Sequence, residues 1–184
     1  INRGLKKCLL IISDDFSGLS EAISVLLPKT DHQLCFIHMQ RNVRKHMGKE
    51  DANDFNDTLK SLKLYKDQTK AIDAFVKLCE SYKKKYPAFI AHLLNNKERY
   101  FAFLKYPQSL QKHIYTTNVV ENFNSRLNIM GVNLGGYFQT SKTLNIAMQV
   151  LIDKLTKDKW RKPVPAIQGN EYEINQLFNQ RFAS

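Results

Sequence analysis

Cysteine is scarce in this sequence, with three residues among 184. Cys8, Cys35 and Cys79 show no disulfide-framework spacing, which argues against a disulfide-rich secreted class and suits a reducing cytoplasm. No apolar run approaches the roughly 20 residues of a membrane-spanning helix, and the N-terminus lacks a signal-peptide core. We therefore expect a cytoplasmic protein without a membrane segment.

Acidic residues are also few relative to basic ones, 17 against 28, which gives a formal net charge of +11. An excess of this sign favours a polyanionic partner, and nucleic acid is the usual one, although a basic solvated surface would give the same count. Hydrophobic residues make up 43% of the chain, enough for a substantial core.

The N-terminal part has the pattern of a strand, a helix and a second strand. Residues 5–13 form a continuous apolar run, typical of a strand buried on both faces. Helical periodicity follows over 19–27 and ends at Pro28, and 33–39 is the second strand candidate. Strands connected in this way are expected to be parallel, with a right-handed crossover.

The remainder is predicted to be helical. The region from 40 to about 105 carries several helical patterns, and Pro87 fits the first turn of one of them. Further amphipathic helices are predicted at 141–159 and 171–182. The predicted fold class is α/β, dominated by helices.

Two carboxylates stand where a metal site could form. Asp14 directly follows the first strand, at the sheet edge where α/β proteins place their ligands. Glu121 follows Asn118 at the spacing of a capping box, so a helix start could aim its carboxylate, or the glutamate could act only as part of the cap. Asp15 should point elsewhere by strand alternation, which leaves no third ligand candidate. Oxygen ligands of this kind suit Mg²⁺.

A second pattern, Cys35-x-x-His38, precedes a basic stretch. As a zinc half-site it has no partner pair, and a buried cysteine beside a hydrogen-bonded histidine is the simpler interpretation. The next residues are candidate DNA-phosphate contacts: Arg41, Asn42, Arg44 and Lys45. Such contacts position DNA without reading its sequence.

Taken together, these motifs resemble the signatures of Mutator-superfamily insertion-sequence transposases. The first signature combines Asp14 and Gly18 with Gln33, Cys35, His38 and the Arg41-Asn42 pair. The second runs from Tyr106-Pro107 through Thr116-Thr117-Asn118-x-x-Glu121-x-x-Asn124, with Gly136-Tyr137-Phe138 and Trp160 as trailing landmarks.

The resemblance implies an RNase H-like fold with a DDE site that binds Mg²⁺ or Mn²⁺ and acts on transposon ends and target DNA. Asp14 would be the second Asp of the triad and Glu121 its Glu, with Cys35, His38 and Asn118 as active-site neighbours. Asn124 and Arg126 are further candidate DNA contacts. The implied regions are a partial RNase H-like core (1–39), a helical insertion (40–112), final core helices carrying the Glu (113–160) and a tail helix (161–184).

Two departures from the family pattern matter. Asp15 occupies a position where family members usually have Gly. The first triad Asp would lie upstream of the first strand, so we expect a C-terminal portion that is inactive alone. The outer edge of its first strand would need a helix or another chain to cover it. A homo-oligomer is also expected. The alternative is a non-catalytic basic helical module that binds DNA or a partner subunit.

Overall fold

A computed structural model describes residues 4–183 of the chain. Its elements, in order, are β1 (Leu10–Ser13), α1 (Leu19–Leu26), β2 (Asp31–Leu34), α2 (Phe36–His46), α3 (Lys49–Leu62), α4 (Gln68–Tyr82), α5 (Pro87–Asn95), α6 (Lys97–Tyr100), a 3-10 helix (Ala102–Lys105), α7 (Gln108–Ile114), α8 (Asn118–Asn133), α9 (Ser141–Asp158), α10 (Pro165–Gly169) and α11 (Glu171–Phe182). The chain divides into two compact units. The first runs to Thr116 and resumes at Glu171, and the second is Thr117–Asn170.

The predicted strand–helix–strand arrangement is confirmed. β1 and β2 form a two-stranded parallel sheet in which Leu10 pairs with Asp31 and Ser13 with Leu34. Gly18 precedes the crossover helix α1 with a φ of 76°, a left-handed conformation that glycine adopts without steric cost. The predicted helix-dominated α/β class therefore holds for the described residues.

The predicted second strand was wrong in its bounds. It ends at Leu34, and a helix begins at Phe36, so Cys35 and His38 lie at a helix start and not on a strand. The buried residues of α2 include Phe36, Met39 and Val43. Their spacing of three and four places one apolar stripe on a helix, and this longer pattern overrides the short run that favoured a strand.

Aromatic side chains fill the core of the first unit. Phe36, Phe55, Phe75 and Phe101 are fully buried, and Phe75 meets Phe101 edge-on at 5.3 Å between ring centroids. Such edge-to-face contacts add about 0.5–1.5 kcal/mol each beyond the burial of apolar area.

Buried Gln33 joins the sheet to this core. Its side-chain amide donates to the Tyr100 carbonyl at 3.0 Å, and its side-chain oxygen accepts from the Phe103 N–H at 2.7 Å. Both polar ends of the buried side chain are therefore satisfied, which fixes β2 against α6 and the 3-10 helix.

The outer edge of β1 was predicted to be covered by a helix or by another chain. All the residues of β1 are half-buried. From α11, Arg181 Nη1 donates to the Leu9 carbonyl at 2.9 Å, just before the strand begins. That a helix or a second chain covers the rest of this edge stays a prediction.

The second unit is built on the helix pair α8 and α9. Buried positions on α9 include Ala147, Leu151 and Leu155, at helical spacing. Gly131 on α8 is in close contact with the Phe138 ring, where an added Cβ would lie 3.1 Å from it. None of the helices in residues 4–183 has the length and apolar character needed to cross a membrane.

Candidate active site

Asp14 lies at the carboxyl end of β1, where the backbone makes a tight turn. Its carbonyl accepts from the Phe16 N–H at 3.0 Å and from the Ser13 hydroxyl at 2.8 Å. These bonds fix the backbone that carries the Asp14 carboxylate, and the side chain remains 30% exposed. The carboxylate is thus both positioned and accessible to an ion.

His38, on the first turn of α2, contacts this carboxylate. Its Nδ1 lies 2.8 Å from Asp14 Oδ1, and its Nε2 lies 3.1 Å from Arg41 Nη1. Because a guanidinium can only donate, Nε2 must accept, which places the imidazole proton on Nδ1, the nitrogen that lies 2.8 Å from Asp14 Oδ1. His38 therefore lies between Asp14 and Arg41, and its role as an active-site neighbour stays a prediction.

Buried Cys35 completes the group in the first unit. Its Sγ, an Asp14 carboxylate oxygen and a ring nitrogen of His38 all lie within 4.8 Å of one another. A hard ion such as Mg²⁺ takes oxygen ligands, whereas a thiolate suits softer metals such as zinc. Of these three donors, only the Asp14 carboxylate is of the type that Mg²⁺ prefers.

Asp15 has partners of its own, although strand alternation does not explain this, because β1 ends at Ser13. Its carboxylate accepts from His92 Nε2 at 2.6 Å and from the Tyr100 hydroxyl at 3.3 Å. Burial and the neighbouring Asp15 carboxylate raise the pKa of Tyr100, so this hydroxyl stays protonated and can donate. Asp15 therefore attaches the loop after β1 to the helical region and is not a third ligand of the group around Asp14.

The basic residues of α2 form an exposed face. Arg41, Arg44 and Lys45 are exposed, and Asn42 between them is half-buried. On a helix, His38, Asn42 and Lys45 follow one another at spacings of four and three, so they share one side of α2. The predicted phosphate contacts thus lie on the helix that carries His38.

In the second unit, the cap predicted at Asn118 was wrong by one residue. Thr117 is the N-cap and Asn118 the first helical residue, which places Glu121 one position further into α8. Threonine and asparagine have similar cap preferences, so the sequence pattern could not decide between them. The Thr117 hydroxyl donates to Glu121 Oε1 at 2.9 Å, which orients the carboxylate at the start of the helix.

The other two candidates on α8 differ in their surroundings. Asn124 is exposed. Arg126 donates from Nε to the Asn122 side-chain oxygen at 2.9 Å and lines a groove of about 380 Å³ between α8 and α9. Both remain candidate DNA contacts.

Sequence reasoning missed several residues near the group around Asp14. His92 contacts Asp15, and with Phe89 and His46 it lines a cavity between α2 and α5. No local motif marks Phe89 and His92, because they approach α2 only through the packing of α5, far along the chain.

Comparisons with known proteins agree with the motifs. The profile of a family described as "Transposase, Mutator family" matches residues 1–162. A transposase for insertion sequence element ISRM3 of Rhizobium meliloti is 25% identical over 182 residues, covering 98% of this chain and 45% of the relative. The transposase for element IST2 of Acidithiobacillus ferrooxidans is 30% identical over 124 residues, 65% of this chain and 41% of the relative. This chain thus spans less than half the length of these curated relatives.

Proposed function

Because this chain belongs to the Mutator family of transposases, we propose that it contributes to a DNA-cleaving and strand-joining active site of the DDE type. In the intact enzyme, a water molecule would attack the phosphodiester at a transposon end, and the freed 3′-hydroxyl would attack target DNA. The parallel β1–α1–β2 unit, with Asp14 at its carboxyl edge, supports an RNase H-like arrangement of the core.

In this proposal Asp14 and Glu121 hold Mg²⁺ or Mn²⁺. When bound, the metal would activate the attacking oxygen and stabilise the departing one. His38 Nδ1 lies 2.8 Å from Asp14 Oδ1, and the Thr117 hydroxyl donates to Glu121 Oε1 at 2.9 Å, so each carboxylate has a neighbour that would orient it toward an ion. Cys35 and Asn118 border the site.

The exposed cations of α2 would bind the DNA backbone. Arg41, Arg44 and Lys45 supply fixed positive charge on the helix that begins at the site. With Asn42, and with Asn124 and Arg126 on α8, they would hold phosphates and set the register of the strand without reading its sequence. The partners proposed are transposon-end and target DNA and a second copy of the chain.

The observation that carries this proposal is the Asp14–His38 contact at 2.8 Å at the end of β1. It is tested by titrating Mn²⁺ into the 184-residue chain and measuring affinity by calorimetry. Asp14→Asn should abolish the strongest binding event, and His38→Ala should weaken it by about 10–100-fold, the usual effect of removing a residue that orients a ligand. Asp57→Asn, which removes an exposed carboxylate on α3, serves as the control.

Equal Mn²⁺ affinity for Asp14→Asn and the unmodified chain would contradict the metal role. If the unmodified chain still bound DNA in that case, the result would favour the second candidate function, a non-catalytic module that binds DNA through the exposed basic face of α2. The two functions therefore differ in whether Asp14 matters to metal binding, and the basic face is common to both.

A further inference from the structure

A cavity lies between α2 and α5, beside the group around Asp14. It has a volume of about 350 Å³ and is lined by Asn42, His46, Ala88, Phe89 and His92. The rings of His46 and Phe89 are stacked, with centroids 4.9 Å apart and planes inclined by 21°. This volume lies within the usual range of small-molecule sites in proteins.

Two elements that line the cavity, α2 and α5, also contact Asp14 or its neighbour Asp15. On α2, Asn42 and His46 follow His38 by one and two turns, about 6 and 12 Å along the helix axis. From α5, His92 donates to Asp15, the residue next to Asp14. A B-form strand rises about 3.4 Å per nucleotide, so the cavity is roughly two to four nucleotides from a phosphate bound at Asp14.

The lining selects a flat, neutral ligand with hydrogen-bonding edges. It contains no lysine, arginine or carboxylate, so a phosphate would find no fixed positive charge inside. His46 and Phe89 offer ring surface for stacking. The Asn42 side-chain amide makes no hydrogen bond with any residue the structure describes, which leaves a donor and an acceptor for a ligand edge.

Positive charge lies just outside this lining. Arg41 and Lys45 are exposed on α2 on either side of Asn42 and could hold the phosphates that flank a bound nucleotide. A basic backbone track combined with rings for base stacking is how proteins bind single-stranded nucleic acid.

We propose that the cavity receives a base of unpaired DNA close to the phosphate that is cleaved. The inference rests on the proposed function, because it takes DNA as the ligand. It adds His46 and Phe89 as base contacts and assigns the amide of Asn42 to the edge of the base in place of a phosphate. The flanking phosphates stay with Arg41 and Lys45. Removing a base from the stack costs a few kcal/mol, which stacking and edge contacts in a pocket can offset.

The experiment compares two single-stranded oligomers of the same length, an oligothymidylate and a fully abasic oligomer with the same phosphates. Binding to the 184-residue chain is measured by fluorescence anisotropy at low salt. Stacking on one ring platform predicts about 5- to 150-fold tighter binding of the oligomer that carries bases. His46→Ala should reduce this ratio at least fivefold, and Asn42→Ala should reduce it in the same direction.

Lys45→Ala is the matched control on the same helix. It should weaken the binding of both oligomers equally and leave the ratio unchanged, because it removes a phosphate contact and no ring. His46 and Lys45 are both exposed, so neither change empties the core. A variant that fails only by unfolding would lose both oligomers together, and circular dichroism would show it.

The outcomes separate the two proposals. Equal affinity of the unmodified chain for both oligomers would overturn the base cavity while leaving DNA binding in place. An unchanged ratio in both His46→Ala and Asn42→Ala would also overturn it, since the bases would then bind elsewhere. Failure to bind either oligomer at low salt would instead contradict the proposed function itself.

Discussion

The cluster of charges at the start of β2 allows a quantitative test of how this fold is held. The Asp31 carboxylate lies 2.8 Å from Lys105 Nζ, 2.9 Å from the Tyr106 hydroxyl and 2.7 Å from Arg181 Nη1. These groups come from the 3-10 helix, the residue after it, and α11. A single carboxylate thus connects the strand pair to both segments.

The effect of Asp31→Asn follows from this geometry. The substitution keeps the shape of the side chain and removes its charge, and a hydrogen bond to a charged group contributes about 1.5–3 kcal/mol. The Arg181 side chain is 24% exposed, so its bond to Asp31 should contribute nearly the full amount to the free energy of unfolding. The Lys105 side chain is 45% exposed, so solvent screening reduces the contribution of its bond. We expect a loss of about 2–4 kcal/mol in the free energy of unfolding, or roughly 5–15 °C in Tm.

The assay is urea unfolding followed by circular dichroism at pH 7 and in acid. The control is Asp57→Asn, since Asp57 pairs with Lys60 on the solvated face of α3 and should cost at most about 0.5 kcal/mol. A loss from Asp31→Asn no larger than that of the control at pH 7 would refute the reasoning.

The pH dependence gives a second check on the same variant. Burial raises the pKa of Asp31, but hydrogen bonds from Lys105 and Arg181 outweigh it and hold the pKa below its ordinary value of 3.8. Stability from a depressed carboxyl pKa is fully present above the unfolded pKa and is lost as pH falls through the folded pKa. The difference between the unmodified chain and Asp31→Asn should therefore shrink below about pH 4, and a difference that grew in acid would contradict the cluster.

Two further predictions concern single side chains. Burial, with a smaller contribution from the charge of Glu80, raises the pKa of the Cys79 thiol to about 12. Cys79 should therefore resist Ellman's reagent at pH 8 in the folded chain while half-buried Cys8 reacts, and equal labelling rates would contradict this. Asp15→Ala removes the hydrogen-bond acceptor for His92 and Tyr100 and should lower the free energy of unfolding in urea by about 1–2 kcal/mol. An unchanged urea midpoint would contradict this prediction.

Local patterns predicted the strand–helix–strand unit because its signals are short-range. The apolar run before Asp14 and the stop at Pro28 both act within a few residues, and the structure confirms β1, α1 and β2 in that order. The start of α2 was mispredicted because a short apolar run fits a strand or a buried helix equally well. Only the burial of Phe36, Met39 and Val43 on one side decided it.

The candidate site could be predicted only in part, for a similar reason. Family motifs pointed to Asp14, Cys35 and His38, and the structure brings these residues together in the first unit. The motifs carry no information on the partners of Asp15 or on the lining of the α2–α5 cavity. Those contacts join residues such as Asp15 and His92, 77 positions apart, and depend on where α5 packs.

The helical region also positions the candidate site, because Tyr100 on α6 contacts both β2 and the loop that follows β1. The Tyr100 carbonyl accepts a hydrogen bond from the Gln33 side-chain amide on β2. The Tyr100 hydroxyl donates a hydrogen bond to the Asp15 carboxylate in the loop after β1. Its ring packs edge-on against Phe75 in the helical core, with centroids 6.0 Å apart. Because packed cores shift as units, a change at Phe75 would be transmitted through Tyr100 to the backbone beside Asp14. The geometry of the candidate site is thus set by the aromatic core as well as by its own motifs.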